Sequence, residues 1–235
     1  MNGQKDLLKY FNSNHLKALG MILRTLWVAL VLGLIVLPVR AQPIQIVAFG
    51  DSNTAGFRVL SKNAYPAQLE RALRERGYDV HVINSGVSGE TSGMGLRRFD
   101  KAIPAGTNVA IVYFGRNDVR WGIEPKKIRA NIDAILKKLR ERNIRVLLIG
   151  LRTLDLSQVA AENGALYYPD FFVGVAKDGD KDPQYTLLFD PIQHLNTKGY
   201  AVVVQNLLPY VEALLQPEPP QIPLPQNPSP ISVAR

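Results

Sequence analysis

Cysteine is absent from the 235-residue chain, and histidine occurs only three times. Without cysteine the chain can form no disulfide bond and has no thiolate for nucleophilic chemistry or metal binding. His15 lies in a basic N-terminal segment and His81 inside an apolar run, so that only His194 stands in a polar loop, FDPIQHLN. A zinc site built from several histidines or cysteines is therefore excluded.

The chain also lacks a concentration of charge of one sign. Its net charge is +8, but residues 1–41 hold five of the basic residues and one acid, which leaves +4 for the remainder. No long basic run remains, so the composition gives no case for a nucleic-acid partner. A charge of this size favours at most a weak contact with an anionic membrane surface.

The longest uninterrupted apolar run is LWVALVLGLIVL, residues 26–37. Its 12 residues are fewer than the roughly 18–20 that span a bilayer. The run follows a basic segment and precedes Val39 and Ala41, small residues at positions −3 and −1 of a cleavage site, which predicts a secretory signal peptide over residues 1–41. We therefore expect an exported protein, periplasmic or secreted. A retained membrane anchor is the alternative, and Met21 is an alternative start of the leader.

The C-terminal stretch QPEPPQIPLPQNPSPISVAR contains seven prolines in twenty residues. Proline-rich chain has few backbone donors and little to bury, which predicts an extended, solvated tail over residues 217–235. The remaining residues, 42–216, are enough for one domain with a sizeable core.

Short apolar runs alternate with amphipathic stretches through this central part. The runs predict strands at 44–49, 80–84, 108–114, 145–151 and 165–168, and the amphipathic stretches predict helices at 65–77, 93–103, 124–143 and 199–215. This alternation predicts an α/β fold, a three-layer α/β/α sandwich around a parallel sheet of about five strands. Because such sheets bind ligands at the carboxyl ends of their strands, the polar loops after the first three strands are the candidate site.

Those loops, together with the polar loop before the last helix, carry the residue types of a serine hydrolase. Ser52, after the first strand, is the candidate nucleophile, His194 the base that removes its proton, and Asp190 the acid that orients the imidazole. The backbone N–H of Ser52, an N–H in the glycine-rich second loop and the side-chain amide of Asn117 are candidate donors to the oxyanion. Taken singly, Ser52 could be a helix cap, Asn117 a turn residue and His194 a surface residue. Their joint placement, one candidate at each strand end and a histidine before the last helix, favours the catalytic interpretation.

The four stretches resemble the signature blocks of the SGNH hydrolases, also called the GDSL esterase/lipase family. FGDSNTAGF resembles the block of the nucleophile, Ser52, and NSGVSGET the block whose oxyanion glycine falls on Gly89. GRNDVRWG matches the block that places the oxyanion amide on Asn117, and DPIQHLN the block of Asp190 and His194. The resemblance covers about residues 44–215 and is closest to periplasmic members of the thioesterase I, lysophospholipase L1 and arylesterase type.

The resemblance implies the SGNH fold with flavodoxin-like strand order, no cofactor, no metal, and a small-molecule acyl ester, thioester or lysophospholipid as substrate. A polysaccharide O-acetyl esterase with the same residues is the first alternative. A non-catalytic nucleotide- or flavin-binding domain is disfavoured, because neither a Gly-x-Gly-x-x-Gly nor a Gly-x-x-x-x-Gly-Lys-Ser/Thr loop follows the first strand.

Two features depart from the family pattern. Three residues separate Asp190 from His194, where the family has two, so that the extra residue must bulge or the acid must approach from a different angle. The stretch 152–166 is shorter than the loop and helix that border the substrate cleft in many members, which bears on acyl-chain selectivity.

Overall fold

A computed structural model describes residues 21, 23, 24, 42–177 and 180–217. The chain divides into two compact units, residues 1–42 and residues 43–235. In the first unit the three described residues before residue 42 are helical, and the rest of the predicted leader lies outside the described residues. The predicted tail lies outside them as well, from residue 218 onward. Among the helices of the described part, none is both long and apolar enough to cross a membrane.

The second unit alternates strands and helices as the sequence pattern predicts. In chain order its elements are β1 (Ile44–Gly50), α1 (Ser52–Ala55), α2 (Tyr65–Glu75), β2 (Val80–Gly86), α3 (Ser92–Arg97), α4 (Phe99–Ala102), β3 (Thr107–Tyr113), α5 (Arg116–Arg120), α6 (Pro125–Glu141), β4 (Arg145–Ile149), α7 (Ser157–Glu162), β5 (Leu166–Tyr168), β6 (Ala176–Lys177), β7 (Asp180–Lys181) and α8 (Thr197–Leu215). The single helix predicted at 93–103 is divided into α3 and α4 at Arg98. The antiparallel pair β6–β7 has no counterpart in the prediction.

The main sheet has five parallel strands in the order β2-β1-β3-β4-β5. This is the flavodoxin-like order, and it confirms the predicted sheet. The chain turns from one side of β1 to the other between β2 and β3, so the topological switch point lies between β1 and β3. The loops that leave the carboxyl ends of these two strands therefore border one crevice.

The central strands are buried on both faces, which requires helices on both sides of the sheet. Ile46 to Phe49 in β1 and Val109 to Tyr113 in β3 are completely inaccessible to solvent. Helix α2 packs against α8, and α3 and α7 pack against α6. The predicted apolar stripe of α6 is buried and consists of Ile128, Ile132, Ile135, Leu136 and Leu139. Burial of each such side chain contributes about 1.5–3 kcal/mol, so the strand ends project from a rigid layer.

Candidate active site

Ser52 lies at the first position of α1, immediately after β1. The side chain of Asp51 caps this helix, because its Oδ1 accepts a hydrogen bond from the backbone N–H of Asn53 at 2.9 Å. The cap interpretation of Ser52 is therefore wrong, and its hydroxyl is available for another partner. The carboxyl of Asp51 is fully buried, and this desolvation raises its pKa to about 6. The turn closes at Gly56, whose φ of 81° favours glycine.

The Ser52 hydroxyl lies within hydrogen-bond distance of His194, which is 142 residues later in the chain. The Nε2 atom of His194 lies 2.9 Å from Ser52 Oγ, and its Nδ1 atom lies 2.6 Å from Asp190 Oδ2. The same carboxylate oxygen accepts the backbone N–H of His194 at 2.6 Å. All three side chains are buried. At these distances the hydroxyl, imidazole and carboxylate form one chain of hydrogen bonds, with geometry suited to proton transfer from the hydroxyl.

The three-residue spacing between Asp190 and His194 is accommodated by a tight turn. The backbone N–H of Gln193 donates to the carbonyl of Asp190 at 2.9 Å, and the N–H of Ile192 donates to the Asp190 carboxylate at 3.1 Å. Gln193 adopts a left-handed conformation with φ of 56°, which L-residues adopt at a cost. The extra residue therefore bulges at Gln193, and Asp190 still reaches the imidazole.

The pKa values of the pair are set by burial and by their contact. Burial acts to raise the pKa of Asp190, but hydrogen bonds from the backbone and ring of His194 outweigh it and hold the pKa below its ordinary value. Burial lowers the pKa of His194, although Asp190 acts in the opposite direction. At neutral pH Asp190 is therefore a carboxylate and His194 a neutral imidazole, the protonation states of an orienting acid and a general base.

The candidate donors to an oxyanion are the N–H groups of Ser52 and Gly89 and the side-chain amide of Asn117, which all line one cleft. Among the described residues, the N–H groups of Ser52 and Gly89 donate to no protein acceptor. Gly89 has a φ of 82°, which favours glycine. A Cβ atom at this position would have no neighbour within 4 Å, so the backbone conformation and not crowding favours glycine here. The amide of Asn117 donates one N–H to the carbonyl of Glu90 at 2.8 Å. This bond orients the amide and leaves its second N–H for a ligand.

The second and third loops are held together by buried polar contacts that the sequence pattern did not reveal. Asp118 accepts the hydroxyl of Ser92 at 2.5 Å and its backbone N–H at 2.8 Å. Glu90 pairs with Arg98, which also donates to the carbonyl of Ser85 at 2.9 Å. These contacts fix the loop of Gly89 relative to that of Asn117. The acidic and hydroxyl types were visible in SGETSG and GRND, but their pairing depends on the fold.

A cleft of about 700 Å³ opens above these residues. Ser52, Gly89, Asn117 and His194 share it with the apolar side chains of Phe57, Val119, Leu151, Phe172, Pro191 and Ile192. Phe57 also packs on the imidazole of His194, with ring centroids 4.5 Å apart. The sequence-predicted residues Ser52, His194, Gly89 and Asn117 are thus brought to one cavity, with Asp190 behind His194.

Charged side chains give the cleft an excess of positive charge. Arg116, Arg120 and Arg152 line it, and the acid among the lining residues is Asp170. Asp170 pairs with Arg152 at 3.1 Å, whereas Arg116 and Arg120 form no ion pair within the described part of the chain. No three histidine or carboxylate side chains come together as a metal site within that part.

Comparison with known proteins identifies relatives of this arrangement. The model of the GDSL-like lipase/acylhydrolase family matches residues 48–202. An arylesterase of Vibrio mimicus is 28% identical over 170 residues, which cover 72% of this chain and 82% of that protein. The thioesterase 1/protease 1/lysophospholipase L1 of Escherichia coli (strain K12) is 29% identical over 121 residues, 51% of this chain and 57% of that protein. The crystal structure of AlinE4, an SGNH-hydrolase family esterase, is 31% identical with a TM-score of 0.58 and covers 75% of this chain and 98% of its own.

The sheet order and the polar loops at its carboxyl edge define a hydrolase of the SGNH class. The chain belongs to the GDSL-like lipase/acylhydrolase family, whose model matches well over half of its length, and it is a carboxylic ester hydrolase. The resemblance deduced from the four sequence blocks is confirmed. The alternative of a non-catalytic nucleotide- or flavin-binding domain is thereby set aside.

Proposed function

We propose that the protein is an exported serine esterase that hydrolyses acyl esters and thioesters through an acyl-enzyme on Ser52. The observation that carries the proposal is the continuous hydrogen-bond chain from Ser52 through His194 to Asp190. The proposal that the protein is exported is supported by the signal-peptide pattern of residues 1–41.

The reaction proceeds in two halves. Ser52 Oγ attacks the acyl carbonyl carbon while His194 Nε2 takes the hydroxyl proton, and Asp190 stabilises the imidazolium that forms. The tetrahedral intermediate then collapses, the bond to the alcohol or thiol breaks, and the leaving group takes the proton from His194. A water molecule, deprotonated by His194, attacks the acyl-enzyme in the same manner and releases the carboxylic acid and Ser52. In each half, His194 first accepts a proton and then gives it up, so it is neutral again at the end.

The negative charge of both tetrahedral intermediates is stabilised by the N–H groups of Ser52 and Gly89 and by the amide of Asn117. Replacement of Asn117 by alanine is therefore expected to lower kcat by about 10²–10³-fold with little change in KM, because the donor acts only on the developing charge. Steady-state kinetics on a p-nitrophenyl ester measures both constants. The same substitution at Asn108, an exposed position at the amino end of β3, is the control and leaves both unchanged. An effect confined to KM means that Asn117 binds the ground state instead.

The cleft supports substrates with an acyl chain and an anionic group. Its apolar side chains suit a chain longer than acetyl. Arg116 and Arg120, which form no ion pair with the described residues, attract a phosphate or carboxylate. A lysophospholipid combines both features. A polysaccharide O-acetyl ester, the first alternative, offers neither the chain nor the charge.

A substrate panel separates these classes. We expect activity on p-nitrophenyl hexanoate at least equal to that on the acetate. We also expect kcat/KM for lysophosphatidylglycerol to exceed that for the monoacylglycerol of the same chain by about tenfold, the effect of roughly one charged contact. Arg120→Met reduces the value for the phospholipid and not for the uncharged ester. Activity confined to acetate esters contradicts the acyl-chain assignment and favours the O-acetyl esterase.

A further inference from the structure

Lys181, in β7, is a buried cation beside the site. Its side chain belongs to the hairpin that the sequence pattern did not predict, and the residue is only 8% exposed. Within the described residues its ammonium group forms no ion pair with a carboxylate. A buried ammonium group without a carboxylate partner is costly, so its contacts must compensate for the lost hydration.

Those contacts all involve the loop that leads to His194 or the wall of the cleft. The ammonium donates to the carbonyl of Ile192 at 3.3 Å and forms a shorter hydrogen bond with the carbonyl of Gln193. It also lies 4.2 Å from the centroid of the Phe172 ring, a cation–π distance. The carbonyl of Ile192 accepts a second, weaker bond from Arg116 at 3.4 Å. Two cations thus hold the two peptide units that precede His194.

These peptide units belong to the turn with the unusual spacing between Asp190 and His194. Gln193, in the turn that holds the extra residue between Asp190 and His194, has the left-handed conformation with φ of 56°. No N–H of the turn donates to the Gln193 carbonyl, and Lys181 does. The ammonium therefore supplies the hydrogen bond that the turn itself does not give to this carbonyl.

We propose that Lys181 is a positioning residue, whose ammonium group clamps the Ile192–Gln193 turn and so holds the imidazole of His194 within hydrogen-bond distance of Ser52. The inference rests on the proposed role of His194 as general base. It assigns to the β6–β7 hairpin a function in catalysis without contact between Lys181 and the substrate.

The clamp also brings positive charge to the histidine. Burial is the main cause of the lowered pKa of His194, and the charges of Lys181 and Arg116 lower it further, against the effect of Asp190. Burial likewise lowers the pKa of Lys181, to about 7, with Arg116 acting in the same direction and Asp190, Asp51 and Asp170 against it. In the acidic range where His194 titrates, Lys181 is therefore charged. Loss of its charge raises the pKa of His194.

The test compares the full-length chain with its Lys181→Met variant, which keeps an unbranched apolar stem against Phe172 and removes the ammonium. We expect kcat to fall by about 10–100-fold with little change in KM, because small misplacement of a catalytic group costs about this much. The acid limb of the pH profile of kcat/KM shifts upward by about half a unit, the effect of one nearby charge. Lys181→Arg, which keeps a charge and donors, retains the acid limb of the wild type.

The matched control is Lys198→Met, the same change at an exposed position in the first turn of α8, which leaves kcat and the acid limb unchanged. The proposal is overturned if Lys181→Met has the acid limb of the wild type and its kcat is either unchanged or lowered only in proportion to the folded fraction. Circular dichroism measures that fraction. If Ser52→Ala remains active, the proposed function fails instead, so the two failures are distinguishable.

Discussion

Replacement of Ser52 by alanine is expected to lower kcat for ester hydrolysis by about 10⁴-fold or more, because loss of a serine nucleophile removes the covalent route altogether. The fold is expected to persist. The change deletes one oxygen atom, and its hydrogen bond to His194 is worth about 1 kcal/mol. Initial rates on p-nitrophenyl hexanoate measure the loss, and the thermal unfolding midpoint checks the fold.

Ser61→Ala is the matched control for this variant, because Ser61 is an exposed serine in a 3₁₀ turn outside the cleft. Its kcat is expected to equal that of the wild type. If Ser52→Ala keeps more than about a tenth of the wild-type kcat, Ser52 is not the nucleophile, since loss of such a nucleophile typically costs many powers of ten.

The second large effect is expected from Asp190→Asn, which should lower kcat by about 10³–10⁴-fold. Asp190 accepts hydrogen bonds from both the ring and the backbone N–H of His194. An amide at this position can donate to Nδ1, which leaves the imidazole in the wrong tautomer, and it carries no charge to stabilise the imidazolium. Steady-state kinetics at the pH optimum of the wild type measures the loss.

The kcat of His194→Ala is the lower limit with which the kcat of Asp190→Asn is compared. If Asp190→Asn stays within about tenfold of the wild type while His194→Ala is inactive, another group orients the imidazole and the assignment of Asp190 is wrong. The pairing of Ser52 with His194 would survive that result. The structural position of Asp190 leads us to expect the opposite outcome.

The fold was predictable where local pattern and burial agree. The strands β1 and β3 are continuous apolar runs, which is the pattern of strands covered on both faces, and α6 shows an unbroken helical stripe. The pair β6–β7 was not predictable, because two-residue strands are too short to show a period. The division between α3 and α4 was missed because the buried residues Gly95, Phe99 and Ala102 follow one another at intervals of four and three residues, the period of a continuous helix.

The residues that come together at the candidate site could be predicted from the sequence, but the contacts that support them could not. Ser52 and Asn117 were visible because they follow buried strands at the edge where such sheets bind ligands, and His194 because it stands in a polar loop before the last helix. The cap of α1 could not be chosen from the sequence, since Asp51 and Ser52 are both good caps and only the geometry shows that Asp51 fills this position. Lys181 carried no local signal. Its importance comes from burial beside a turn twelve residues later, a tertiary contact that no sequence period records.

Covalent labelling tests the central claim, that Ser52 carries the acyl group, most directly. A p-nitrophenyl alkylphosphonate mimics the tetrahedral intermediate and, on attack by the nucleophile, releases p-nitrophenol and leaves a stable phosphonate on the enzyme. The account predicts release of one p-nitrophenol per chain, loss of esterase activity in step with it, and the added mass on the peptide that contains Ser52. Labelling of a different residue, or full esterase activity in a chain labelled at Ser52, would contradict it.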